Sequence, residues 1–173
     1  MKNGKKALIL SIYLAFLEKM GYNKIEMILL FLKGLGDMGK KLSRREARQE
    51  AFKLIFELNQ HREELEFLFD NLVFEKPEAE EAMSYIREVV TGVLHHYDEL
   101  SEIICKNLIK GWTIDRISKP SRAVLMLAIY EMKYVDDVPD KVAINEAVEL
   151  AKTFDEPQNA AFVNGVLAGV LKK

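Results

Sequence analysis

Cysteine is almost absent from this chain of 173 residues: Cys105 stands alone, so no intramolecular disulfide and no cysteine-based metal cluster can form. That poverty suits a reducing cytoplasm. Histidine is scarce too, at His61, His95 and His96. The adjacent pair points about 100° apart on a helix and so lacks the i, i+4 spacing of a shared metal site; both read as ordinary surface or boundary residues. There is no P-loop, GxGxxG, HExxH, GxSxG or deaminase motif. The acidic clusters, such as Glu78, Glu80 and Glu81 after Pro77, have no nucleophile beside them and read as a solvated helical face. An enzyme is not expected, and neither is a cofactor or metal. No internal repeat or low-complexity segment appears.

The net charge is small, −2 from 25 basic and 27 acidic residues, which argues against wrapping duplex DNA through a broad positive face. Its distribution is uneven. Between Lys40 and Lys53 lie Lys40, Lys41, Arg44, Arg45, Arg48 and Lys53 against only Glu46 and Glu50, so any site for a polyanion should be local.

Residues 1 to 37 form a segment of their own. Lys2, Lys5 and Lys6 precede an apolar run from Ala7 to Leu17, but that run is about half the ~20 residues needed to cross a bilayer. Glu18 and Lys19 then stand where a signal peptidase would need small residues. A second run, Ile25 to Leu32, is equally short. The segment reads as a helical hairpin on the main domain, as an amphipathic membrane attachment, or as an extension or misassigned start before Met38; these alternatives stay open. No membrane partner is expected for the domain from 38 to 173.

From Met38 onward the apolar spacing is helical almost everywhere, and no alternating stretch is long enough for a strand. The fold class is all-α, a compact bundle of about seven helices arranged as two packed sub-bundles. Ser43 and Glu46 make a capping-box pattern that starts a helix with Ala47, Ala51, Leu54, Ile55 and Leu58 on its inner face, leaving Arg44, Arg45, Arg48 and Lys53 on or beside the solvent side. A short helix is predicted over 63–73, a longer one opening at Pro77, and another capped by Asp98 and ended by Gly111. Ser118 and Pro120 start a helix whose run AVLMLAIYEM is apolar on nearly all sides and should be the hub. Asp136, Asp137 and Pro139 break the pattern before a helix ending near Phe154, and Pro157 opens the last one, where Gly165 and Gly169 predict close approach of another helix. Trp112 is expected to plug a gap between helices with its indole NH bonded.

Guanidinium forks grip phosphate oxygens in bidentate fashion, and positive charge at a helix amino terminus opposes the macrodipole. Three arginines there therefore point to an external anion. Phe52 and Phe56 read as core rather than stacking platforms, so the arm alone does not define a base preference. Asn145, at mid-helix, calls for a hydrogen bond to a neighbouring helix or a ligand.

The segment VPDKVAINEAVELAKTFDEPQNAAFVNGVL, from Val138 to Leu167, resembles the carboxy-terminal signature of the NusB family. The stretch from Trp112 through Arg116 and Arg122 to Glu131, and the arm SRREARQEAF, resemble the same family, so the similarity spans about residues 40 to 171. Residues 1 to 37 have no counterpart in it. The resemblance implies a helical antitermination factor binding single-stranded boxA RNA together with the small-subunit ribosomal protein NusE, with other Nus factors and RNA polymerase as indirect partners. Position by position it implies RNA contacts at Arg44, Arg45, Arg48, Lys141, Asn145, Lys152 and Gln158, and partner contacts at Asp140, Glu146, Phe154 and Phe162. The chain departs from the family pattern at Ala161, where a basic residue is usual, at Gln158, where an acidic one is common, and at Asp155 and Pro157, which replace a glycine-containing turn. Met126 replaces a frequent arginine.

Two other functions compete with this one. A helical protein-interaction module without RNA binding would leave the basic arm merely soluble, and homodimerisation through helix faces is compatible with it. An accessory domain of an RNA cytosine methyltransferase would need a cofactor-binding α/β domain that the sequence does not contain.

Overall fold

A computed structural model describes residues 41–58 and 65–172. The expectations for residues 1 to 37, for Lys40 and for His61 lie outside them. Seven α-helices occur among the described residues: α1 (Arg44–Leu58), α2 (Leu65–Glu75), α3 (Met83–His95), α4 (Tyr97–Lys106), α5 (Lys119–Tyr134), α6 (Asp140–Phe154) and α7 (Asn159–Leu171). Short 3-10 turns cover Pro77–Ala82 and Ile114–Arg116, and no strand is present among the described residues.

The helix starts follow local chemistry. The Ser43 backbone N–H donates to Glu46 Oε2 at 2.8 Å and the Glu46 N–H donates to Ser43 Oγ at 3.2 Å, the reciprocal pair expected of the capping box. At α5, Ser118 Oγ accepts from the Ser121 N–H at 3.2 Å, with Pro120 in the first turn. Other boundaries shift. Pro77 opens a 3-10 turn rather than the α-helix itself; α4 ends at Lys106, and Gly111 (φ 89°) lies in the connection beyond it. Asp98 falls inside the first turn of α4 instead of capping it, a place that still suits its charge.

Helix α5 is the hub. Every residue from Ala123 to Glu131 is buried, and α5 touches α1, α3, α4, α6 and α7. Around it, α1 packs with α3 and α6 packs with α7, giving two groups that share one central helix. Met126, fully buried in the hub, brings no charge needing a partner there.

The two glycines of α7 differ. A Cβ on Gly165 would meet nothing within 4 Å, whereas one on Gly169 would come within 2.9 Å of the side chain of Asn107, which caps the end of α4. Trp112 does not plug a gap: it is 45% exposed and stacks on Phe162 with ring centroids 5.9 Å apart. His96 sits at a boundary, its Nδ1 3.0 Å from Glu99 and its ring stacked on Tyr134.

Candidate nucleic-acid interface

The amino terminus of α1 lies alongside α6, and the arginine arm divides there into an inner and an outer part. Arg44 and Arg45 are half exposed, whereas the Arg48 side chain is only 3% exposed. Its Nε donates to both carboxylate oxygens of Glu131, at 3.0 and 2.9 Å, and its Nη2 donates to Oε1 at 2.9 Å. The Tyr85 hydroxyl donates to the same oxygen at 2.7 Å. Burial works against the Arg48 charge, but the Glu131 hydrogen bonds and charge outweigh it and hold the guanidinium pKa above its ordinary value. Burial, followed by the neighbouring Glu131 carboxylate, pushes the Tyr85 phenol well up.

The expectation that Arg48 faces solvent is therefore corrected. Its guanidinium is turned onto α5 and saturated by Glu131, leaving it no free fork for an external phosphate. The sequence carried two signals of this. Arg48 stands three and seven residues before Ala51 and Ile55, both on the buried face, and Glu131 is a lone acid in the otherwise apolar hub. A carboxylate that must be buried requires a cation, and α1 provides it.

The outer part is different. Arg44 lies 4.0 Å from Asp137, which is 87% exposed, and its guanidinium sits over the Tyr85 ring at 4.7 Å. A cleft of about 210 Å³ opens beside it, lined in part by Leu42, Glu81 and Tyr85. Arg45 reaches Glu146 at 3.9 Å and Glu149 at 3.4 Å, both on α6. Glu146 also lies 3.5 Å from Arg48 Nη1, so one carboxylate joins the buried arginine to the exposed one.

Lys141, Asn145 and Lys152 are all exposed on α6, and their spacing of four and seven residues places them on one face, shared with Glu149. Lys152 Nζ donates to Glu149 Oε1 at 2.6 Å. The structure thus brings Arg45 and Lys152 to one carboxylate that the sequence reading did not single out. Hydrogen bonding and charge from Lys152, with a smaller contribution from Arg45, hold Glu149 below the usual carboxylate range. Asn145 points to solvent rather than into a neighbouring helix, and Asp140 occupies the first turn of α6. Gln158 is exposed and donates to Glu156 Oε2 at 2.5 Å.

Of the aromatic residues expected to meet a partner, Phe154 packs inward, its ring 4.9 Å from that of Phe52 on α1. Phe162 is partly buried beneath Trp112. The departure at Asp155 has a structural use. Its Oδ2 accepts from the Ser118 hydroxyl and, at 2.6 Å, from the Ser121 hydroxyl, while Oδ1 accepts from Asn159 Nδ2 at 2.9 Å. One carboxylate in the α6–α7 turn thereby also ties down the start of α5.

Among the described residues no helix is long and apolar enough to cross a membrane, and no cluster of three metal-ligating side chains occurs. The fold and this seam define an all-helical protein with an exposed cationic edge braced by a buried ion pair. The chain belongs to the NusB family, whose model matches residues 45–172. A transcription antitermination protein NusB of Oceanobacillus iheyensis is 42% identical over 130 residues, which are 75% of this chain and 99% of the relative. Its counterpart in Clostridium botulinum is 38% identical over 136 residues, 79% of this chain and all of the relative. Among solved structures, that of antitermination factors NusB and NusE in complex with dsRNA is similar with a TM-score of 0.67 and 28% identity, covering 75% of this chain and 96% of the other. T. maritima NusB is similar at 0.64 and 33%, covering 77% and 93%.

Proposed function

We propose that this chain is a non-catalytic antitermination factor of the cytoplasm that binds boxA-type RNA jointly with the small-subunit ribosomal protein NusE during ribosomal RNA transcription. Other Nus factors and RNA polymerase are then indirect partners. The observation that carries the reading is the exposed cationic edge formed by Arg44 and Arg45 of α1 with Lys141 and Lys152 of α6, in a chain about 40% identical to named antitermination proteins. A related NusB has been solved together with NusE and RNA, which supports the same pairing here. Arg48 contributes indirectly, by holding α1 to α5 so that Arg44 and Arg45 project beside α6.

Three or four cations meeting phosphates of a single strand give a slope of log K against log salt of about −2 to −3. The test is binding of labelled boxA RNA, with and without NusE, across a salt series, comparing wild type with Arg44→Ala/Arg45→Ala. The double variant should bind more weakly, with a slope reduced by about 1.4. Unchanged affinity would remove the arm from the interface. Absence of RNA binding with and without NusE would leave a helical protein-interaction module.

A further inference from the structure

Glu149 holds two of the four cations on which the RNA-binding reading rests. Its Oε2 faces Arg45 Nη2 of α1 at 3.4 Å and its Oε1 accepts from Lys152 Nζ of α6 at 2.6 Å. A carboxylate with one oxygen on each of two cations from different helices has the arrangement of a bridging phosphate, whose anionic oxygens would make the same two contacts. We propose that the seat between Arg45 and Lys152 is a phosphate-binding site, which the Glu149 carboxylate fills in the RNA-free protein and yields to an RNA phosphate on binding. The inference rests on the RNA-binding reading above and adds a site and an order of events to it.

The neighbouring carboxylates are not equivalent to it. Glu146 is 25% exposed and is anchored by the buried Arg48 as well as by Arg45, so it stays in place. Asp137 is 87% exposed and only loosely approaches Arg44 at 4.0 Å, so it blocks little. Glu149, at 43% exposure, is free to swing into water, and exposed ion pairs of this kind are worth little. The exchange is therefore inexpensive. It also lowers the net charge of the seat from two positive charges to one until RNA arrives, which weakens attraction for anions that do not make the full set of contacts.

Glu149→Gln removes the competing charge while keeping the side chain's shape, and its exposure makes misfolding a minor concern, checked by a thermal melt. Single-stranded boxA RNA should bind the variant about two- to fivefold more tightly at low salt. Its slope of log K against log salt should steepen by up to about 0.7, since in wild type the freed Glu149 carboxylate takes up a cation that offsets one released by the phosphate. Glu102→Gln is the control, because Glu102 is equally ionic but pairs with Lys106 on α4. A gain confined to, or clearly larger in, Glu149→Gln supports the exchange. No gain, or an equal gain in both variants, overturns it and leaves RNA binding itself intact. If wild type binds no RNA with or without NusE, the RNA-binding reading fails and this inference fails with it.

Discussion

The buried pair of Arg48 and Glu131 makes a quantitative demand on the fold. Changing Arg48→Met keeps an apolar stem of similar length but removes the charge, leaving a fully buried Glu131 carboxylate with the Tyr85 hydroxyl as its remaining donor. Removing one partner of a buried pair costs about 3–5 kcal/mol, because the survivor is left uncompensated where water cannot reach it. A domain of this size has roughly 5–15 kcal/mol in all, so the variant should lose a large fraction of its stability. With a urea dependence of about 2 kcal/mol per molar, the unfolding midpoint followed by far-UV circular dichroism should fall by about 1.5–2.5 M. The companion variant Arg48→Met/Glu131→Leu/Tyr85→Phe removes the three buried members of the cluster at once, leaving only the part-exposed Glu146, and well-packed apolar replacement of a buried pair is often neutral or stabilising. It should return to within about 2 kcal/mol of wild type. A loss below about 1 kcal/mol in the single variant, or a triple variant no better than the single, would refute the reasoning that an uncompensated charge is what matters.

The Asp155 clasp should show itself through pH. Burial opposes its ionisation, but the hydroxyls of Ser118 and Ser121 and the Asn159 amide outweigh that and hold its folded pKa below the ordinary value. A depressed carboxylate contributes stability that is fully present above the unfolded pKa of about 3.9 and is lost as pH falls through the lower folded value. Asp155→Asn should therefore cost about 1–2 kcal/mol at neutral pH, with the deficit closing under acid; a deficit independent of pH in urea titrations would contradict this. The glycines predict opposite signs for one substitution. Gly92→Ala would place its Cβ 2.0 Å from the buried Tyr130 ring and should destabilise by about 1–3 kcal/mol. Gly165→Ala meets open space in mid-helix and should stabilise by up to about 1 kcal/mol, and thermal melts that rank the two the other way would reject the packing described.

Helix starts were legible in the sequence because they are local. The capping box at Ser43 and Glu46 and the Ser118 cap use residues three apart, and the hub announced itself by being apolar on all sides. The candidate edge was legible only in part. A run of arginines reads as one feature along the chain, yet Arg48 stands one turn further into α1, where it meets Glu131 of the hub, while Arg44, four residues before it and on nearly the same face, lies at the helix end and stays half exposed. Trp112 and Gly165 were misplaced for a related reason: whether a bulky or a small residue meets a neighbour depends on distant elements that local spacing does not encode. Glu149 went unnoticed because an acid in a mixed-charge helix has no signature until the opposing helix is in place.

The inner and outer parts of the arm are one device, joined by Glu146. Its Oε2 lies 3.5 Å from Arg48 Nη1 and 3.9 Å from Arg45 Nε, so the position of the exposed Arg45 is referenced to a guanidinium that the hub helix has already fixed. Long cationic side chains are otherwise floppy, and ordering one on binding costs about 0.5–1.5 kcal/mol. A carboxylate held by a buried arginine reduces that cost for Arg45 before any nucleic acid arrives. Stability and recognition then depend on the same contact: a change that loosens Arg48 would disorder Arg45 even though the Arg48 guanidinium is turned inward onto Glu131, whereas a change at Glu149 would alter affinity with little effect on folding.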